Sequence, residues 1–355
     1  MASIPVESVD RRAFVAGSLA DPARSIGGPR FDAAFFWGAP LLASVLVWTW
    51  LLVALTLPAH LGQRAVSLLA YSVAVLTFAH LIAVAPRAYL NRQVFEDNRT
   101  KLVAVPIALI AALLVSPVLL VCAAVLTVFW DVHHSAMQTF GLGRIYDMKS
   151  GNAPNVLRTT DLRLNWALYV GPIAAGFSLF THVESFADFG RLDWQSLATM
   201  PGVIQSHSVA IRYAAMAAWA ATLAWAIFDY RAAAARGYRM PAQKAALLGA
   251  TGTVSVCAWG LAPPFIAFAI INLFHAVQYF ALVWLKEGDR IALRFGRAGA
   301  RRPVAFVLFL ILCGGFGIAY AATSKTSLLI APFVACSLLH FWFDSFVWSV
   351  RKKQV

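Results

Sequence analysis

The stretch 129–141, FWDVHHSAMQTFG, sets one acid and two adjacent histidines at the end of a long apolar run. Of the eight histidines, five fall inside apolar runs: His80, His133, His134, His275 and His340. His60, His182 and His207 fall at run ends, where an interfacial role suffices. An imidazole inside an apolar slab is costly unless it faces another polar group, a cavity or a cofactor. Five of them from separate parts of one chain predict a metal or haem site. A proton path and plain structural hydrogen bonding are the competing readings. No spacing matches HExxH or a histidine box, so the signal lies in where the histidines fall in their runs.

The neighbours add to it. His134 and Gln138 are four apart, His340 and Asp344 four, and His275 and Gln278 three, so each pair shares a helical face. Gln138 and Gln278 are expected beside the cofactor, fixing imidazole tautomers. Asp344 is expected either there or as a carboxylate ligand beside the five histidines. Asp131, three before His134, extends the polar stripe as an acid–base candidate or a ligand of a second metal. Tyr279, four after His275, would position substrate or supply a phenolic proton. Arg87, seven after His80, would meet a polar or acidic head group at the surface. Adjacent helical residues diverge by about 100°, so the sequence leaves open whether His133 or His134 touches the metal.

The elements that must position these groups are membrane spans. The chain has 355 residues, 60% of them hydrophobic and 13% charged, with a mean hydropathy of +0.70. Apolar runs of membrane-crossing length recur throughout, which predicts an all-α polytopic integral membrane protein. Ten spans fit: 33–57, 65–86, 101–116, 119–140, 163–182, 207–230, 243–259, 262–285, 303–322 and 326–349. The weakest boundary is Ser116-Pro117. Basic residues cluster in alternate connections, and ten spans preserve that alternation with both termini cytoplasmic, in a bacterial-type inner membrane. Residues 1–30 read as a cytoplasmic tail, 31–350 as one helical domain, and 183–206 as an external cap. Asp161, Arg163 and Asn165 read as surface and capping groups.

The net charge of +13 belongs to those loops. With no basic field interleaved with stacking aromatics, nucleic acid is not an expected partner. Cys122, Cys257, Cys313 and Cys336 stand singly in apolar runs and read as small hydrophobes. This argues against an iron–sulfur centre.

The four histidine-bearing spans are all even-numbered and run in one direction. Counted from their inner ends at about 1.5 Å per residue, the histidines lie roughly 9–15 Å deep, as one layer. All-imidazole ligation with an occasional carboxylate suits iron, zinc or copper. Non-haem iron is favoured because the layer lies where a hydrophobic, lipid-like substrate enters and hydrolytic water is scarce. The layout resembles, in general type, the bacterial polytopic oxygenases that cleave carotenoids with iron held by histidines from separate spans; the likeness is one of layout. It implies an oxygenase or oxidoreductase among membrane lipids, with an electron-donor protein as a candidate partner. Zinc would imply a hydrolase, haem an electron-transfer protein. A transporter of protons, metal or small solutes would use the same stripe, and an assembly subunit would hold no metal.

Overall fold

The computed structural model describes residues 15–295, 302–323 and 328–348. Its helices are α1 (Pro29–Phe35), α2 (Ala39–Thr56), α3 (Ala59–Ile82), α4 (Arg92–Asp97), α5 (Arg99–Val115) and α6 (Pro117–Lys149). There follow α7 (Arg158–Ala175), the short α8 (Leu179–Val183), α9 (Gln195–Ala198) and α10 (Met200–Ser206), and then α11 (Ser208–Ala235). The last four are α12 (Ala242–Ser255), α13 (Pro264–Phe295), α14 (Arg302–Ala321) and α15 (Ala331–Val347). The architecture is all-α. The one strand pair described is β1 (Val15–Ala16), parallel to β2 (Met240–Pro241).

Seven of the described helical stretches are long and apolar enough to cross a membrane, or eight if one bent pair counts as a span. Each expected span has a helix at its place, but they are unequal. The third is α5, 17 residues with Pro106 inside it. The seventh is α12, which holds only 14 residues before a π-helical turn at Val256–Leu261. The fifth bends by 95° between α7 and the segment that follows it. The Ser116-Pro117 boundary is a real break: the Ser116 hydroxyl accepts from the Leu119 amide, and Pro117 starts α6. Proline is suited to that first position because its missing donor would be unpaired there anyway. From it α6 continues nine residues past the expected end at 140, to Lys149.

α13 is the central element. In its most apolar window 72% of residues are buried inside the protein, against 6% for α11. A helix apolar on all sides finds neighbours on all sides, and α13 packs against α2, α3 and α14. Close approach of α14 to α3 depends on Gly317, where a Cβ would collide with the Val75 carbonyl. The 183–206 segment folds into short helices, and Phe189 packs with Val121 and Val125 of α6.

One end of the bundle carries the basic loops, and it is closed by a buried ionic knot. Arg144 donates to Asp147 at 2.8 Å and to Asp161 at 2.6 Å. Lys244 donates to Asp147 at 2.7 Å and to both Asp161 oxygens at 2.8 Å. Tyr238 donates to Asp147, and Tyr230 to Asp161. Two cations thus meet two carboxylates, tying α6, α7 and α12 together. Asp161 and Asn165 are therefore buried structural groups and not surface caps: a carboxylate out of water persists when paired in this way. Arg163 is exposed, as expected.

The expected 1–30 tail is also corrected in part. Residues 1–14 lie outside the described residues. Residues 15–30 are folded onto the basic end, where Asp32 accepts the Ile26 and Gly27 amides, both at 2.8 Å, and the Tyr146 hydroxyl at 3.0 Å.

Candidate metal centre

Four helices bring one imidazole each to the middle of the bundle: His80 from α3, His134 from α6, His275 from α13 and His340 from α15. Their ring centroids form a closed circuit. His80 stands 4.9 Å from His275 and 5.1 Å from His340, while His134 stands 4.9 Å from His275 and 4.7 Å from His340. All four are buried. Ring nitrogens of His80, His134 and His340 lie within 4.8 Å of one another, close enough to share one ion.

The hydrogen bonding of this circuit is incomplete in a specific way. His340 Nδ1 faces the Leu81 carbonyl at 2.9 Å, an acceptor, so Nδ1 carries the proton and the Nε2 lone pair is free. That Nε2 points at His134 Nε2 across 3.1 Å. Neighbouring ligands about 2.1 Å from one ion stand about this far apart. Among the described residues, neither nitrogen of His275 has a hydrogen-bond partner, and the His80 ring has none beyond the backbone of Leu76 and Thr77 in its own helix. An unpaired buried donor or acceptor costs on the order of 1–3 kcal/mol. A shared metal ion would satisfy one nitrogen of each ring, and the donor set fits one.

Beside the ring lies a triad from α13 and α15. Tyr279 donates its hydroxyl to Asp344 Oδ1 at 2.7 Å, and Trp348 Nε1 donates to the same oxygen at 3.1 Å. Asp344 Oδ2 stands 3.8 Å from His340 Nε2 and 3.9 Å from His134 Nε2. The carboxylate is thus held by other partners at the edge of the ring. Tyr279 packs 4.7 Å from His340, ring to ring. Sequence reading missed Trp348, although it continues a stripe with His340 and Asp344 at steps of four. It also missed Phe341, whose ring lies 4.7 Å from His134 and covers it.

Other expected site residues lie outside the circuit, although His133 and Gln138 line the cleft beside it. His133 diverges from His134 on α6; its ring is 5.2 Å from Trp166 and outside the circuit. Asp131 is half-buried and forms no ion pair with any of the four histidines among the described residues. Gln138 does not touch an imidazole nitrogen: its Nε2 donates to the His275 carbonyl at 3.1 Å and to Gln278 Oε1 at 2.9 Å. Gln278 in turn donates to the Phe36 carbonyl at 2.8 Å. The two glutamines act as a girder that fixes α6, α13 and the α1–α2 turn below the ring. Arg87, on a π-helical turn at Pro86–Leu90, does not meet a head group. It is buried, donates to Glu287 at 2.5 Å and to the Val347 carbonyl at 3.1 Å, and stacks over Trp348 at 4.8 Å. Its role is to lock the end of α15, and thereby Trp348 and Asp344, against α13.

A cleft of about 1040 Å³ opens beside the ring between α6 and α15. His134, Tyr279 and Asp344 form its floor, and Trp130, Phe341 and Trp342 are among its walls. Comparison with protein-family models, curated proteins and solved structures finds no match to this chain.

Proposed function

We propose that the chain is a multi-pass membrane metalloenzyme in which His80, His134, His275 and His340 hold one non-haem iron ion. Its activity is that of an oxygenase or oxidoreductase on a hydrophobic, lipid-like substrate. The observation that carries this reading is the convergence of four buried imidazoles, of which His80, His134 and His340 bring ring nitrogens within 4.8 Å of one another and His275 has no partner at either nitrogen among the described residues. An all-imidazole set suits a borderline divalent metal. Rings 4.7–5.1 Å apart, edge to face, leave no slot between them for a porphyrin, which disfavours haem. The aromatic cleft favours a hydrophobic substrate over hydrolytic water, which disfavours zinc hydrolysis.

In this reading the metal supplies redox chemistry, and the chain supplies the surroundings. Phe341, Trp342 and Trp348 exclude water from the floor of the cleft. The Tyr279 hydroxyl, held by Asp344, keeps a proton at the cleft side of the ring. In this reading the basic end faces the cytoplasm, which the positive-inside pattern supports, and an electron-donor protein would dock there.

Elemental analysis of the purified protein with its optical spectrum tests the reading. The expected result is about one iron per chain with no Soret band. Stoichiometric zinc selects a hydrolase, a Soret band selects haem, and absence of any bound metal overturns the proposal.

A further inference from the structure

The cleft continues from the histidine ring to the loop between α6 and α7, where its mouth is lined by Asn152, Pro154, Asn155 and Arg158. That mouth is built. Gly151, at φ 78°, lets the chain leave α6, and Leu157, at φ 55°, turns it into α7. Between them Arg144 donates to the carbonyls of Pro154 at 2.8 Å and Val156 at 3.0 Å. Asn152 is pinned by Asp147 at 3.1 Å and by the Arg239 carbonyl at 3.1 Å.

The charge at the mouth has one sign. Of the charged residues lining the cleft, Asp344 lies on the floor and Arg144 is neutralised by Asp147 and Asp161. Arg158 forms no ion pair among the described residues; its guanidinium lies 5.7 Å from the Phe140 ring. From Phe140 to His134 is six residues of α6, about 9 Å of helix, and Trp130 lies about 6 Å further on. The cleft is thus an apolar slot with a guanidinium at one end, the histidine ring part-way along it, and room beyond. Its volume is at the upper end of the roughly 300–1,000 Å³ range of small-molecule pockets.

We propose that this cleft binds a long-chain amphiphile with an anionic head group, carboxylate or phosphate. Arg158 holds the head and the chain passes the metal to Trp130, so that reaction falls at an internal position of the chain. The site of reaction rests on the metal-centre reading; the binding mode does not. A planar guanidinium with free donors matches both oxyanions, and a preformed mouth spares the ordering cost of capturing them.

The test uses the full chain in phosphatidylcholine nanodiscs, with 9,10-dibromostearate, its methyl ester and a brominated alkyl phosphate as quenchers of cleft tryptophan fluorescence. Both anions should bind about tenfold or more tighter than the ester. Arg158→Gln should abolish that preference, while Arg163→Gln, an exposed arginine on the same helix, should leave it intact. Equal binding of acid and ester overturns the proposal, as does an unchanged preference in Arg158→Gln, which would make Arg158 a membrane-surface anchor only. Chelator-stripped protein separates the two readings. An anion preference in protein that carries no iron sustains this proposal alone; iron without the preference sustains only the metal centre.

Discussion

His134 and His340 meet Nε2 to Nε2 at 3.1 Å although 206 residues separate them in the chain. Because His340 donates its Nδ1 proton to the Leu81 carbonyl, its Nε2 lone pair faces His134, and ring nitrogens of these two and of His80 lie within 4.8 Å of one another. Alanine at His80, His134, His275 or His340 should each remove most of the bound metal, whereas His133→Ala should retain it. Elemental analysis of the five variants decides this; equal loss in His133→Ala would place that imidazole in the ligand set.

Asp344 sits 3.8–3.9 Å from two of the ring nitrogens and is held by Tyr279 and Trp348. Asp344→Asn should therefore keep the metal. Tyr279→Phe should also keep it, while losing a buried hydrogen bond worth about 0.5–1.5 kcal/mol, read as a lower unfolding temperature. Loss of metal in Asp344→Asn would make the carboxylate a ligand.

The knot at the basic end predicts a strong and compensable effect. Lys244→Met leaves Asp147 and Asp161 sharing Arg144 alone and should destabilise the protein by about 3–5 kcal/mol. Adding Asp161→Asn should recover part of the loss, because it removes the uncompensated charge. Thermal unfolding in detergent measures both. A neutral Lys244→Met would mean that water already reaches the knot.

A pH dependence follows from Asp32, which lies outside the spans. Burial raises its carboxyl pKa above the ordinary 3.8, against the opposing pull of the Gly27 and Ile26 amides and the Tyr146 hydroxyl. The folded chain therefore holds this proton more tightly than the unfolded one, and the stability it contributes is largest at low pH and falls as pH rises through the folded pKa. The unfolding-temperature advantage of wild type over Asp32→Ala should accordingly be larger at pH 4.5 than at pH 7.5; an advantage that grows with pH would reverse the assignment.

The sequence by itself determined the all-α architecture and the helix places, because apolar length and turn chemistry are local properties. It also determined that His80, His134, His275 and His340 form one layer, since depth follows from counting along helices of known rise. What it could not determine was direction around each helix axis in a bundle whose packing partners were unknown. The split between His133 and His134 is the clearest case: a 100° turn separates a ring position from a contact with Trp166, and only the packing of α6 against α7 and α15 chose between them. Arg87 and Asp161 looked like surface groups because positive-inside counting registers sign without partners. Their partners, Glu287 for Arg87 and Arg144 and Lys244 for Asp161, lie far along the chain or on other helices. Gln138 and Gln278 shared faces with histidines as expected, yet their amides reach across helices to backbone carbonyls. Local periodicity shows which residues share a face; the tertiary structure decided what that face meets.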